Sequence, residues 1–251
     1  MKLRGSSQAL SVGSILAAIL TGSASAAPLP PPTFGQSVDI GLVSGTVIVR
    51  PVAGSSFRLG AQDRNIPVGS EIDTRSGEVD LRSALAPREA SAAANATRPV
   101  QDAQFRGGLF KILQPRSQHG LTVLDLVTTP SMLRACALGS TAKATPGQLS
   151  SHVLQTLRAH DSGGQFQTRG RYSAATVRGT TWDTTDRCDG TLTVVLSGAV
   201  DVYDFGLHKT ISLHAGHRYL AKAPADRTSE SGPDRPPRMR SRALLRRRRP
   251  A

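Results

Sequence analysis

The stretch TLTVVLSGAVDVY, residues 191–203, decides the class of this chain. Leu192, Val194 and Leu196 recur at every second position, and so do Val200 and Val202 beyond them. Strict alternation in short runs rich in β-branched residues is the mark of a strand with one buried face. Ser197-Gly198 separates the two runs and predicts a tight hairpin between them. Asp189-Gly190, just upstream, is a second hairpin signal, because both residues tolerate positive φ.

The same period runs outward from there. TVIVR sets Val47 and Val49 on one face, and EVDLR sets Val79 and Leu81 inward with Glu78, Asp80 and Arg82 outward. LFKIL offers Phe110 and Ile112; LTVLDLV offers Leu124 and Leu126; TISLH offers Ile211 and Leu213. The expected class is mainly β, as a sandwich or a short solenoid. One helix is expected, starting at Thr145-Pro146 as N-cap and first-turn proline. Leu149, Val153 and Leu157 then repeat every four residues, and Gly163-Gly164 would stop it. The Ala-, Ser- and Pro-containing stretch from Ala84 to Ala103 reads as a loop, and Asn95-Ala96-Thr97 within it is a glycosylation sequon. From Ala223 the alternation collapses among prolines, so 223–251 is expected to be disordered.

The formal charge of +13 is uneven. Residues 225–251 hold nine Arg against three acids, a net +6. Lys2 and Arg4 put +2 on the first 26 residues, which leaves +5 for the body. Scarce aromatics, 4% of the chain, argue against a stacking platform for single-stranded nucleic acid. Nucleic acid is therefore not the expected partner, and an anionic envelope polymer fits the tail residues Arg238, Arg240, Arg242, Arg246, Arg247, Arg248 and Arg249 better.

Lys2 and Arg4, the apolar residues from Val12 to Leu20, and Ala24-Ser25-Ala26 follow the order of a secretory signal, with cleavage before Ala27. The apolar stretch is too short to span a bilayer, and no run elsewhere is long enough. A secreted or extracytoplasmic location, periplasm or cell envelope, follows from this reading. Pro-rich residues 27–35 would form a stiff mature N-terminus. Export would place Cys136 and Cys188 in an oxidising compartment, where an even count suggests one disulfide. Closing a loop of roughly fifty residues would stabilise the fold by about 4 kcal/mol. The alternative is two unrelated buried thiols.

Ser173 to Trp182, SAATVRGTTW, resembles the A-x-V-R-G-T-x-[FW] signature of FecR domains. Cys188 to Val200, CDGTLTVVLSGAV, resembles that family's D-G-T-x-x-x-V-x-x-G-x-V hairpin, and Ala215-Gly216-His217 its closing turn. Upstream, Gly45 to Val49 and Ile66 to Leu81 are similar to the domain's opening strands. The resemblance covers 36–222 in two blocks, 36–112 and 166–222. Residues 113–165 read as an insertion, stapled to the later block if Cys136 bonds Cys188. The motif residues are Val177, Arg178, Gly179, Thr180, Trp182, Asp189, Gly190, Gly198 and Gly216. Gly179 permits a kink, with Val177 and Trp182 pointing into the core on either side. Arg178 would project from the bend, toward an acid or a ligand.

The resemblance implies an extracytoplasmic β-rich module. Family members that relay signals to a sigma factor carry a cytoplasmic region and a membrane helix, neither of which is expected here. Motifs that carry chemistry are few. Ser140-Thr141-Ala142-Lys143 matches S-x-x-K without the partner motifs of that enzyme class. His208, His214 and His217 cluster in sequence near Asp201 and Asp204, yet surface histidines explain them more simply. The expected function is therefore non-catalytic: binding, assembly or signalling in the cell envelope, with no cofactor and no metal. Polyanion binding through the tail is the alternative, and an envelope hydrolase a third reading.

Overall fold

The computed structural model describes residues 29–86, 100–138, 149–177 and 179–224. Fifteen strands join in one sheet: β1 (Ser37–Arg50), β2 (Phe57–Arg58), β3 (Arg64–Pro67), β4 (Glu71–Ala84), β5 (Val100–Arg106), β6 (Leu109–Leu113), β7 (Thr122–Leu126), β8 (Val153–Asp161), β9 (Phe166–Arg169), β10 (Ser173–Val177), β11 (Thr181–Arg187), β12 (Gly190–Ser197), β13 (Ala199–Asp204), β14 (Lys209–His214) and β15 (Arg218–Lys222). Among the described residues one α-helix, α1 (Pro130–Leu138), follows β7.

The sheet curls into a near-closed barrel with two walls. One wall runs β6-β7-β9-β10-β13-β14 and the other β5-β8-β11-β12-β15. The walls meet on one side at β4, which pairs with β6 through residues 71–73 and with β5 through residues 78–84. They meet on the other side at the long hairpin arms β12–β13 and β14–β15, each of which passes from one wall to the other. β1 lies along the free edge of β4, with short β2 and β3 on its own far edge. All pairs are antiparallel except β7 with β9, whereas the coils of a solenoid stack in parallel.

The inward faces fill a single core. Val47, Val49, Val79, Leu81, Phe105, Phe110, Ile112, Leu124, Leu157, Phe166, Trp182, Val200 and Val202 all lie in it. Each fully buried large side chain contributes about 1.5–3 kcal/mol. The alternation read for β1, β4, β6, β7 and β13 thus points the way the sequence indicated.

Besides the loop read from Ala84 to Ala103, whose ends fall in β4 and β5, three readings need correction. The helix expected across 149–157 is absent: residues 149–152 are irregular and Val153–Asp161 is strand β8. A repeat of four satisfies a strand as well as a helix, because four is an even number. Inward Gln155 and Asp161 hid the period of two. The proposed N-cap at Thr145-Pro146 lies outside the described residues. Second, Ser197-Gly198 does not close a hairpin. β12 pairs with β11 and β15, and β13 with β10 and β14, so the chain turns a corner at Gly198. Third, β12 is inverted relative to the reading from Leu192, Val194 and Leu196. Thr191, Thr193 and Val195 face inward, while Leu196 is exposed. Segment 113–165 supplies β7 and β8, which are hydrogen-bonded within the two walls.

Candidate functional site

The signature stretch forms a corner of the barrel. β10 ends at Val177 in one wall, and β11 begins at Thr181 in the other. Gly179 sits between them at φ +63°. Val177 and Trp182 are buried on either side of it, as the motif implied. Arg178 lies outside the described residues. Thr180 is buried, and its hydroxyl donates to the carbonyl of Ala199 at 2.9 Å, across to the neighbouring corner at Gly198. The backbone of Gly198 in turn accepts from Ala215 at 3.0 Å, next to Gly216 at φ +83°. Three crossings therefore stack side by side: 177–181, 197–199 and 214–218.

Asp161, at the end of β8, ties this rim together and was not legible beforehand. Its carboxylate is 1% exposed. One oxygen accepts from the amides of Gly163 (2.9 Å) and Gly164 (2.6 Å), and the other from Gly179 at 2.8 Å. Three charge-assisted bonds to backbone N–H groups satisfy the buried acid. Gln165 follows, and its amide donates to the buried Gln101 side chain at 2.6 Å. Two shallow clefts of about 330 and 340 Å³ flank the rim and share Gln165. Thr176, Val177, Val200 and Asp201 line one; Val100, Asp102, Ser162 and Gly164 line the other.

Trp182 is fixed from within. Its indole N–H donates to Thr168 Oγ1 at 2.8 Å, which lies 2.6 Å from Thr184 Oγ1. Farther along the same wall, Asp186 is fully buried. It accepts from the Thr191 hydroxyl (2.7 Å), the Arg171 amide (3.0 Å) and the Thr128 hydroxyl (3.4 Å). Burial pushes its carboxyl above the usual carboxylate range, against the lowering effect of those bonds. These threonines read as strand formers in the sequence. Only their alternation with larger apolar residues, taken in the other phase, would have revealed an inward polar face.

Cys136 and Cys188 form a disulfide, with Cα atoms 5.4 Å apart. It ties α1 to the β11–β12 turn. Asp189 occupies that turn in an ion pair with Arg187 at 2.6 Å, and Gly190 opens β12 where a side chain would strike the Ala221 carbonyl. No protein family, curated protein or solved structure matches this chain. The site must be judged on its own geometry.

His208 stands in the turn before β14 and His214 ends that strand, about 20 Å apart at the rise of a strand, while His217 lies just before β15. Among the described residues no three His, Cys, Asp or Glu side chains converge as a metal site. His160 Nδ1 lies 2.8 Å from Thr181 Oγ1 as an exposed cross-strand pair, and among the described residues no carboxylate bonds the ring. Ser140 and Lys143 lie outside the described residues, as do Asn95 and the tail arginines Arg238, Arg240, Arg242 and Arg246 to Arg249. What the rim offers chemically is an edge with hydrogen-bonding groups beside two clefts.

Proposed function

We propose that the chain is a non-catalytic, extracytoplasmic β module, FecR-like in its signature stretch, which acts by binding or assembly in the cell envelope. The observation that carries the reading is the Cys136–Cys188 disulfide. Such bonds persist in oxidising compartments, and the first 26 residues carry the order of an export signal. Val177, Gly179, Thr180, Gly198 and Gly216 support the family likeness by falling together on one rim, where Thr180 and Gly198 are held across two crossings, while Asp189 and Gly190 lie in the turn at the far end of β11. A FecR-like sandwich is the finer form of this proposal, and signalling is one way such binding would be used.

Fractionation with N-terminal sequencing tests the address. The expected product begins at Ala27, is recovered outside the cytoplasm and has both thiols blocked. An intact Met1 with free thiols in the cytoplasm overturns it. The tail favours a second reading, polyanion binding. Arginine clusters that neutralise phosphates give a steep salt dependence. Deleting 225–251 should abolish salt-sensitive retention on an anionic matrix, and unchanged retention removes that role.

A further inference from the structure

The chain has ten aromatic residues. Phe105, Phe110, Phe166 and Trp182 are fully buried. Tyr172, Tyr203 and Phe205 instead gather at the tip of the β13–β14 hairpin and the adjoining β9–β10 turn. The Phe205 amide donates to the Tyr172 carbonyl at 3.0 Å, and the rings of Tyr203 and Phe205 are 5.9 Å apart. The Arg169 guanidinium stands over Phe205 at 5.4 Å and that of Arg171 over Tyr172 at 4.9 Å. At the apex Leu207 is 62% exposed, and Tyr203 beside it is 41% exposed. Lys209 follows, also exposed.

This exposure is not slack. Asp204, 3% exposed, anchors the tip from inside. One carboxylate oxygen accepts from the amides of Gly206 (2.8 Å) and Leu207 (2.9 Å), and the other from the Tyr219 hydroxyl at 2.7 Å in the opposite wall. The fold therefore holds a leucine rigidly in water, where it adds nothing to the core. An apolar apex, a collar of aromatic rings and cations set behind them match the layers of a bilayer surface. Leucine suits the acyl boundary, tyrosine and phenylalanine the interface, and arginine and lysine the phosphates. Among the described residues, Arg169 alone of the three cations forms an ion pair, with Asp125 at a loose 3.9 Å. A sugar polymer would use the rings but leave Leu207 in water, so the apex favours lipid.

We infer that this tip docks on the surface of an anionic lipid bilayer, with Leu207 entering the acyl boundary and Arg169, Arg171 and Lys209 meeting headgroup phosphates. The inference stands apart from the rim and from the family likeness. Residues 225–251 add nine arginines beyond β15 in the sequence, a second attraction of the same sign.

Sedimentation of the full chain with vesicles of phosphatidylcholine, with and without phosphatidylglycerol, tests it. To cut the tail's net charge from +6 to +2, Arg246 to Arg249 are replaced by Gln in every protein compared. That parent should sediment with the anionic vesicles and much less with the neutral ones. Leu207→Asp should lower its partition coefficient about tenfold or more, and Arg171→Gln roughly fivefold. The thermal midpoint of Leu207→Asp should stay that of the parent, since its side chain faces solvent. Equal sedimentation of Leu207→Asp and its parent overturns the proposal. So does dextran sulfate binding as strong as vesicle binding and indifferent to Leu207, which would make the tip a polyanion site.

Discussion

At Gly198 the chain bends at φ +77°, and the space a Cβ would fill holds the Gly179 carbonyl and the Thr180 hydroxyl, each at 2.9 Å. A side chain there would be strained twice, by its own backbone and by two rigid neighbours. Gly198→Ala should cost about 1–3 kcal/mol, seen as a lower urea midpoint at unchanged slope. The residue was legible as a break in the strand pattern, but not as this break. Glycine at positive φ serves a hairpin and a corner equally, and only the strands paired on each side distinguish them. Tyr219 offers a second test. Burial, the hydrogen bond to Asp204 and that group's charge push its phenol up to about 12. The fold thus favours the neutral phenol. Stability from this group is complete below the ordinary tyrosine value of 10.0 and is lost as pH rises toward about 12. Tyr219→Phe should be less stable by about 1 kcal/mol at neutral pH. It should also lack that alkaline loss, measured by denaturant titration at stepped pH.

Among the elements, α1 depends most on what it is tied to. Nine residues are too few to persist as a helix in water without docking, and Cys136 fixes this one to the β11–β12 turn across a sequence separation of 52. Cys136→Ser with Cys188→Ser should lower stability by about 4 kcal/mol on the chain-entropy account. Amide exchange across 130–138 should accelerate well beyond that of β11 and β12; uniform acceleration would mean that the helix holds by packing alone. The disulfide was legible from two cysteines and an export signal. The helix itself had signals at both ends, Thr129 before Pro130 and Gly139 after Leu138, and the Thr129 hydroxyl accepts from the Met132 amide at 3.4 Å; what obscured it was a competing Thr-Pro start at 145–146 beside a spacing of four. β8 was misread for a physical reason of the same kind. Its inward positions include Gln155 and Asp161, whose polarity is offset by bonds to backbone that no one-dimensional pattern displays.

For the whole molecule, both sequence blocks share one core. Val79 and Leu81 of the first pack in the same cluster as Trp182 and Val200 of the second. Neither block can bury its inward face alone. Urea unfolding followed by Trp182 fluorescence and by far-ultraviolet circular dichroism should therefore give coincident transitions; two separated transitions would mean independent blocks. Class and most strand faces were readable at this scale, since they follow from the alternation within each strand. Closure was not, because it depends on β4 and the β12–β15 arms each serving two walls. That double service has a consequence for how such a chain can change over generations. A repeating coil can be copied in tandem and the protein simply grows longer. Here a duplicated strand would have to enter a ring in which both walls are already joined at each side. Length variation among descendants should accordingly collect at hairpin tips such as 51–56, while the number of strands stays fixed.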